Sequence, residues 1–490
     1  MAAPARTPRT TRQGSRRAAD PARRDSAPSP APAQLAGTAS LAAWLTGVLA
    51  TLCCIGLIMV ASASSVISIV YYGSTWAIAL REGLWMVVGI IVFLTCARMS
   101  QKNLRRLATP FMLVAFALLI VVLVPGFGTS AFGASRWVGV GLLRVQPSEI
   151  AKLALCLYAA HVVTTRERVE YEWAKVLRPL AIVAAASAAL VLLQPDMGTA
   201  AVLIVIALAT VVAAGAPMRA VGFSLLVLAA GGAAAIAVSP YRRARLLSFL
   251  HPQWDAKGTG YQLIQSKVAF GTGRLFGLGL GNSREKWGLL PNPHTDFIFS
   301  VIGEELGLVG TVLVLGLLIS LVLLGLRVAR LAPDRFSQLL AVSVTAWLGA
   351  ETVINAGAAT GLLPVTGIPL PFISFGGTSL VIDMAAVGLL VGIARRAAEP
   401  RPVLRVVPAR TGRRERAPSS APARAASTRR IPAAAPRRRA PAREASTRRS
   451  PAGAPRRSAP AVRIEPTVSP RPVPRDGGHS PRSPRRDRHR

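Results

Sequence analysis

Apolar segments about as long as a bilayer is thick recur along most of this chain, and they constrain its fold more than any other feature. Ten of them lie near residues 41–61, 84–99, 108–125, 149–163, 178–194, 198–215, 219–238, 296–328, 336–358 and 376–394. A segment of this kind crosses lipid as a helix, because the hydrocarbon offers the backbone no hydrogen-bond partner. The sequence therefore predicts an all-α polytopic membrane protein with about ten transmembrane helices.

The distribution of Lys and Arg predicts which side each loop faces. With the N-terminus in the cytoplasm, the short inner loops carry twelve basic residues and the short outer loops carry three. Because cytoplasmic loops hold the excess of positive charge, and ten crossings return the chain to its starting side, both termini are predicted to be cytoplasmic. The large outer loop between helices 7 and 8 is an exception, with eight basic residues and two acidic ones. That loop predicts an anionic, membrane-associated ligand, with phospholipid headgroups as the simpler alternative.

Both ends of the chain differ in composition from its apolar middle. The formal net charge of +36 is concentrated there, with seven Arg in residues 1–40 and 27 after Gly392, embedded in Ala, Pro and Ser. Such segments bury too little apolar surface to offset their conformational entropy. We therefore predict disordered cytoplasmic tails at 1–40 and 397–490 around a transmembrane domain at 41–396. The tails are expected to contact anionic lipid or a cytosolic partner rather than nucleic acid.

A first polar cluster precedes the fourth helix on the outer side. It contains Arg136 and Trp137, followed by Gln146, Glu149 and Lys152. Glu149 and Lys152 lie three residues apart on one helix face and can form an ion pair. A guanidinium beside an amphipathic ring suits a phosphate or a sugar, and equally a lipid headgroup. The cluster therefore predicts either a substrate contact or a structural ion pair at a helix end.

Two outer turns carry acidic residues of interest. Asp196 lies between helices 5 and 6, where it can cap the sixth helix or face a ligand. Asp296 follows His294 and Thr295 at the outer mouth of the eighth helix. Cationic neighbours and low-dielectric surroundings shift the pKa of a carboxyl in opposite directions. Asp296 is our candidate for a general base, with a helix cap as the alternative role.

Two further outer segments are incompatible with a regular helix. The glycine loop, residues 271–281, has five Gly but no strand–turn–helix unit of a dinucleotide site, so it predicts irregular backbone at membrane depth. The proline segment, residues 361–377, has three Pro and no charge, which predicts a re-entrant or lid-like loop. In the eighth helix, Glu304 and Glu305 point to different faces, so one is expected to be paired or protonated, or to belong to an ion path.

Together these motifs resemble the SEDS family of bacterial cell-wall proteins, which includes FtsW, RodA and SpoVE. The resemblance covers roughly 41–396 and rests on GASRW, QPSEIAK, QPDMGT, YQLIQS, LPNPHTDFIFSVIGEELG and GLLPVTGIPLPFISFGGTSL, in that order. The intact YQLIQS, the REKWGLLPN lead and the basic tail look more like the division subgroup, FtsW, of an actinobacterium. Asn292 stands where many members carry Glu, which puts a role for an acid there in doubt.

The resemblance implies a peptidoglycan glycosyltransferase that polymerises lipid II outside the cytoplasmic membrane at the division septum, releasing undecaprenyl diphosphate. It implies that Asp296 is catalytic. Substrate contacts are expected from Arg136, Trp137, Gln146, Glu149, Lys152, Asp196, Gln262, Ser266, Lys286, His294 and Thr295.

The resemblance also implies a divalent cation, Mg²⁺ or Mn²⁺, on the diphosphate. The expected partners are a class B penicillin-binding transpeptidase and other division proteins. Two alternatives stay open: a lipid II flippase, for which intramembrane acids would form a polar path, and a RodA-like polymerase of cell elongation.

Overall fold

The computed structural model describes residues 32–399, apart from 126–127, 132–133, 141–142, 168–171 and 259. Most of the two predicted tails therefore lies outside the described residues. The first helix begins at Pro32, so the last nine residues of the predicted N-terminal tail are helical, and the last helix ends at Ala398.

Helices dominate the described chain, as predicted. In chain order the elements are α1 (Pro32–Tyr72), α2 (Ala77–Arg98), α3 (Gln101–Val121), β1 (Gly128–Ala131), β2 (Ala134–Val140), β3 (Leu143–Val145), α4 (Pro147–Arg166), α5 (Trp173–Leu193), α6 (Met197–Ala214), α7 (Met218–Val238), α8 (Pro240–Leu250), α9 (Tyr261–Gly273), α10 (Ile298–Leu331), α11 (Arg335–Thr360) and α12 (Gly377–Ala398).

Among the described residues, nine helices are long and apolar enough to cross a membrane. The tenth long helix of the bundle, α4, has 20 residues but carries Glu149 and Lys152 and is less apolar. The prediction of a polytopic helical membrane protein is confirmed, and α4 accounts for the difference between nine and ten.

The outer loop before α4 contains a small antiparallel sheet in the order β1-β2-β3, which the sequence analysis did not predict. Its strands have only four, seven and three residues and lack the regular alternation of apolar and polar residues that marks a strand. The sheet is joined to the bundle where the Thr378 hydroxyl of α12 donates a hydrogen bond to the Arg144 carbonyl at 3.1 Å.

Charged side chains mark one end of the bundle. Arg105 pairs with Asp334 at 3.1 Å and Arg335 pairs with Glu167 at 3.2 Å, all at loops predicted to be cytoplasmic. The 26 residues of α11 extend from this end over about 39 Å, at 1.5 Å per residue, to the site of Asp296. The predicted inner and outer residues therefore lie at opposite ends.

The helix that follows Asp296 is broken where the glycine loop enters it. Gly307 has φ 66° and ψ −164°, outside the helical range. The Leu308 N–H donates to the Arg274 carbonyl at 2.9 Å, and the Gly279 N–H donates to the Glu305 carbonyl at 3.0 Å. These bonds satisfy backbone groups that the break would otherwise leave unpaired. The predicted irregular backbone of the glycine loop thus forms hydrogen bonds with a broken helix, where the sequence predicted a continuous one.

Alanine at Gly307 should destabilise the protein. A Cβ there would lie 2.4 Å from the Gly277 nitrogen, in a left-handed conformation that disfavours side chains. We expect Gly307→Ala to lower the free energy of unfolding by roughly 2 kcal/mol or more, read as a lower thermal midpoint in detergent.

Gly316→Ala in the same helix is the matched control, because nothing lies within 4 Å of a Cβ there. Its midpoint should stay the same or rise slightly, since Ala favours the helix. Equal midpoints for the two variants would contradict the proposed role of the break.

Candidate active site

Asp296 lies partly buried at the outer end of α10, enclosed by α11 and the proline segment. The Asn355 side-chain amide donates to the Asp296 carbonyl at 3.0 Å and to the Ile368 carbonyl at 2.8 Å. A Cβ built at Gly367 would lie 3.7 Å from Asp296 Oδ2. The bare backbone at Gly367 therefore leaves space beside the carboxylate for a substrate group.

The proline segment is irregular up to the start of α12, as predicted, and is tied to the residues that precede Asp296. The Ser374 hydroxyl donates to the Thr295 carbonyl at 2.7 Å, and the Phe375 N–H donates to the His294 carbonyl at 2.8 Å. Because both bonds end on main-chain carbonyls of the residues before Asp296, they hold its position independently of its own side chain.

Burial and four neighbours determine the protonation behaviour of Asp296. Burial raises the pKa of its carboxyl above the ordinary value, and the negative charge of Asp196 raises it further. The positive charges of Arg245 and Arg136, together with a hydrogen bond from Thr295, oppose that rise. The arrangement makes Asp296 a stronger base than a free aspartate while keeping cations beside it.

His294 is a poor candidate for a competing base. Burial lowers the pKa of its imidazole to about 4, so the ring is neutral at pH 7. The ring centroid lies 5.6 Å from that of Phe375, so one of its neighbours is an aromatic ring. His294 therefore contributes mainly through its backbone carbonyl and its packing.

Arg136 and Asp196 meet at the turn between α5 and α6. The Arg136 guanidinium donates to the Gln194 carbonyl at 3.0 Å and to the Pro195 carbonyl. The Asp196 carboxylate accepts from the Thr199 N–H at 3.0 Å and from its hydroxyl at 2.9 Å, so it caps α6. The predicted cap is present, and the charge of Asp196 still acts on Asp296.

Two residues of the site were not singled out from the sequence. Arg245 on α8 donates to the Val365 carbonyl at 3.2 Å, and Asn355 lies inside α11. The available signals were weak: Arg245 was one of eight cations in the outer loop, and Asn355 is one of two side-chain amides in a largely apolar helix. Only the packing of α8 and α11 around the proline segment brings them to Asp296.

Glu149 and Lys152 form the predicted ion pair, at 2.7 Å, inside the bundle. Lys152 also pairs with Glu351, and its ammonium lies 4.9 Å from the centre of the Trp347 ring. The Lys152 side chain is 1% exposed. This packing corresponds to the structural alternative for the cluster, because in this structure both charges face buried partners.

Lys286 and Ser266 also contact the interior. Lys286 lies 3.5 Å from the Glu305 carboxylate and donates to the Gly281 carbonyl at 2.5 Å. The Ser266 hydroxyl lies 2.6 Å from that of Ser300 and is buried between α9, α10 and α11. These contacts hold the outer loop against the bundle.

Glu304 and Glu305, the two intramembrane acids of α10, both accept hydrogen bonds. The sequence predicted that one of them would be paired or protonated. Glu304 accepts from the Ser283 hydroxyl at 2.5 Å and from the Arg284 N–H at 2.9 Å. Glu305 accepts from the Ser62 hydroxyl at 2.6 Å. The two carboxylates therefore anchor residues 283–286 and α1 to the first turns of α10.

The other predicted contacts lie on the loops around the site. Gln146 donates to the Ser148 hydroxyl at 3.0 Å at the start of α4, and Trp137 pairs with Thr129 across β1 and β2. Gln262 lines a cavity of about 330 Å³ together with Arg245.

The expected divalent cation has no complete protein site in the described part of the chain, where no group of three or more His, Cys, Asp or Glu could hold a metal ion. A Mg²⁺-type ion bound through substrate phosphates needs only one or two carboxylates. Asp296 and Asp196, whose charges interact, are the carboxylates that fit such a role.

The buried Lys152 should be essential for stability. Lys152→Met would leave Glu149 and Glu351 without their cation, which typically costs about 3 kcal/mol or more. We expect a markedly lower thermal midpoint in detergent.

Lys175→Met is the control, because its pair with Glu172 has side chains that are 59% and 68% exposed. Its effect on the free energy of unfolding should be below about 0.5 kcal/mol. If Lys152→Met unfolds like the control, the cluster is not a structural pair.

The chain is similar to several curated proteins. The FtsW protein of Geobacter metallireducens, named "Probable peptidoglycan glycosyltransferase FtsW", is 38% identical over 346 residues, which is 70% of this chain and 92% of the relative. The protein of the same name from Mycobacterium tuberculosis is 40% identical over 362 residues, or 74% of this chain and 69% of the relative. Stage V sporulation protein E of Bacillus subtilis is 37% identical over 341 residues, which is 70% of this chain and 93% of the relative.

Solved structures share the fold. The RodA protein of Thermus thermophilus superposes with a TM-score of 0.54 at 28% identity, covering 72% of this chain and 97% of RodA. A chain from a study of polymerization and crosslinking by a peptidoglycan synthase complex superposes with a TM-score of 0.61 at 30% identity. The match covers 72% of this chain and 97% of that chain. The family model of the FtsW, RodA and SpoVE cell cycle proteins matches residues 43–399. With these matches and the ordered motifs around Asp296, the chain belongs to the FtsW/RodA/SpoVE family.

Proposed function

We propose that this multi-pass membrane protein is a peptidoglycan glycosyltransferase that polymerises lipid II into glycan strands during septal wall synthesis. The observation that carries the proposal is Asp296, a partly buried carboxylate at the outer end of the bundle with Arg136 and Arg245 acting on its charge. Relatives that are at least 37% identical to this chain include proteins named as peptidoglycan glycosyltransferases. Undecaprenyl diphosphate is the second product.

Asp296 is suited to act as the general base. The 4-hydroxyl of the acceptor sugar gives its proton to the carboxylate while its oxygen bonds to the anomeric carbon of the growing chain. The bond from that carbon to the diphosphate breaks, and the electron pair leaves with the diphosphate. Burial raises the pKa of Asp296, which strengthens it as a base, and the neutral His294 does not compete for the proton at pH 7.

The departing diphosphate needs positive charge nearby, because negative charge accumulates on it in the transition state. Arg136 and Arg245 are the cations whose charges act on Asp296. Lys152 and Lys286, which the resemblance gave as expected substrate contacts, are engaged with buried carboxylates in this structure. We therefore propose the two arginines as the diphosphate contacts. A divalent cation, if bound between substrate and Asp296 or Asp196, would add further positive charge there.

A class B transpeptidase is the proposed partner. A solved structure that resembles this chain comes from a peptidoglycan synthase complex that couples polymerization to crosslinking. We propose that this chain supplies the polymerising half of such a pair, with other division proteins at the septum.

A lipid II flippase is the second candidate. Asp383 in the bundle interior is the kind of intramembrane acid that a transport path uses, whereas Glu351 is paired with Lys152. Glu304 and Glu305 are less suited to one, because both are engaged with the loop at 283–286 or with Ser62. The arrangement around Asp296 at the outer end favours the polymerase.

Removing the base should abolish polymerisation. Purified protein with its transpeptidase partner would be given lipid II in detergent, where no leaflets exist. We expect Asp296→Asn to lower the rate of glycan formation at least about 100-fold, the scale of general-base catalysis.

Glu172→Gln is the control, because this exposed carboxylate lies at the opposite end of α5 from the site. Glycan formation by folded Asp296→Asn at the control rate would refute the catalytic assignment. No glycan from the unmodified protein with an active partner, but lipid II movement in vesicles, would favour the flippase.

The dependence of kcat/KM on pH should follow the charges around Asp296. A base works when deprotonated, so kcat/KM falls as the pH drops through the pKa of the base. This falling part of the pH profile is its acid limb. Arg245 lowers that pKa, so Arg245→Gln should shift the acid limb to higher pH. Asp196 raises it, so Asp196→Asn, which still can cap α6, should shift the limb to lower pH. Arg243→Gln, at an exposed position on α8, should leave the limb unchanged; identical limbs for all variants would contradict this reading.

A further inference from the structure

A cavity of about 330 Å³ lies between α8, α9 and the proline segment on the outer side of the bundle. The turn after α8 also contributes to its wall. Its lining includes Arg245, Ser248, Phe249, Asp255, Gln262 and Val365. Of these residues, the proposed glycosyl transfer uses Arg245, and the family resemblance implied a substrate contact for Gln262; neither assigns a role to the other four.

The cavity lies close to the proposed base. Arg245 lines it and donates to the Val365 carbonyl, which belongs to the same wall, at 3.2 Å. Gly367 lies two residues after Val365, and a Cβ built at Gly367 would lie 3.7 Å from Asp296 Oδ2. A group held in the cavity can therefore extend over the backbone of Gly367 toward the carboxylate.

The lining combines one apolar ring with several hydrogen-bonding groups. Phe249 supplies an aromatic side chain, Ser248 a hydroxyl and Gln262 an amide, while Arg245 and Asp255 contribute opposite charges. Gly258 makes space for the carboxylate, because a Cβ there would lie 2.4 Å from both oxygens of Asp255. A lining with balanced charge suits a neutral, hydroxyl-bearing ring better than a diphosphate.

The volume restricts the ligand further. A cavity of about 330 Å³ is at the lower end of small-molecule sites, so it holds a single sugar ring rather than a whole lipid-linked disaccharide. The acceptor is the substrate whose hydroxyl must reach Asp296, whereas the diphosphate of the donor would contact Arg245 from outside the cavity, where Asp255 does not repel it.

We propose that this cavity binds the terminal N-acetylated sugar of the acceptor and directs its 4-hydroxyl toward Asp296. This assignment rests on the proposed glycosyl transfer and identifies where one of its two substrates binds. Gln262 and Phe249 are then acceptor-binding residues, and Asp255 orients the ring through its hydroxyls.

Kinetics with separated substrates test the assignment. The donor is a fluorescent lipid II analogue that lacks the 4-hydroxyl, so it cannot act as an acceptor. The acceptor is an unlabelled lipid II analogue whose sugar is joined to the diphosphate through a non-cleavable C-phosphonate, so it cannot act as a donor. The initial rate of fluorescent glycan is measured while one substrate is varied and the other is saturating, with the partner transpeptidase present. We expect Gln262→Ala to raise the acceptor KM about five- to tenfold, the effect of one lost hydrogen bond, with kcat and the donor KM within twofold.

Gln265→Ala is the matched control, because this amide lies one turn further along α9 and donates to the Tyr261 hydroxyl at 3.0 Å instead of lining the cavity. Its constants should match those of the unmodified protein. Gly258→Ala provides a second, independent variant, since its methyl group would displace the Asp255 carboxylate and should also raise the acceptor KM.

The outcomes separate this inference from the proposed function. If the unmodified protein forms no glycan in detergent, the glycosyltransferase proposal itself fails. If the unmodified protein does form glycan, the two cavity variants decide the assignment. The acceptor assignment is wrong, while the function stands, if Gln262→Ala and Gly258→Ala have the same acceptor KM as Gln265→Ala. It is also wrong if they raise the donor KM instead.

Discussion

The pairing of the glycine loop with the broken helix α10 is the interaction on which the rest of the outer face depends. Lipid offers no partner to a free N–H or carbonyl, so a helix can break at membrane depth only where other backbone completes its hydrogen bonds. The loop supplies those bonds on both sides of Gly307. Glu304 and Glu305 then fasten the next part of the loop to the same turns of the helix, through the Arg284 N–H and the Ser283 N–H respectively. The first turns of α10, which follow Asp296, are consequently joined to the loop by both backbone and side-chain hydrogen bonds.

The charged residues divide into two groups by their surroundings. Lys152 and Lys286 are almost fully buried and engage carboxylates of the interior, where an unpaired charge would be costly. Arg136 and Arg245 donate to carbonyls at the edge of the site and remain partly exposed. A guanidinium is always charged and presents its donors in a planar fork that matches the oxygens of a phosphate. This difference between the two cation types explains why the arginines are the better candidates for contact with an anionic leaving group.

Much of the fold could be predicted because the bilayer imposes length and polarity on every crossing. The helix positions, the irregular proline segment and the helix cap at Asp196 followed from local composition. The small sheet, the break at Gly307 and the position of Arg245 could not, because each depends on contacts between distant segments. Arg245 shows the limit clearly: among eight loop cations, nothing local distinguishes the one that packs against Val365.

The sequence by itself determined that this is a polytopic helical membrane protein, which end of the bundle faces outward, and that Asp296 has the strongest claim as a base. Those conclusions depend on hydropathy, on charge counts and on motif order, all of which are properties of the chain alone. Only the tertiary structure decided which charged side chains reach Asp296 and which are buried in ion pairs. The physical reason is that the cost of burying a charge and the strength of a charge–charge interaction depend on distance and surroundings, which α8, α11 and the proline segment define only when they pack together.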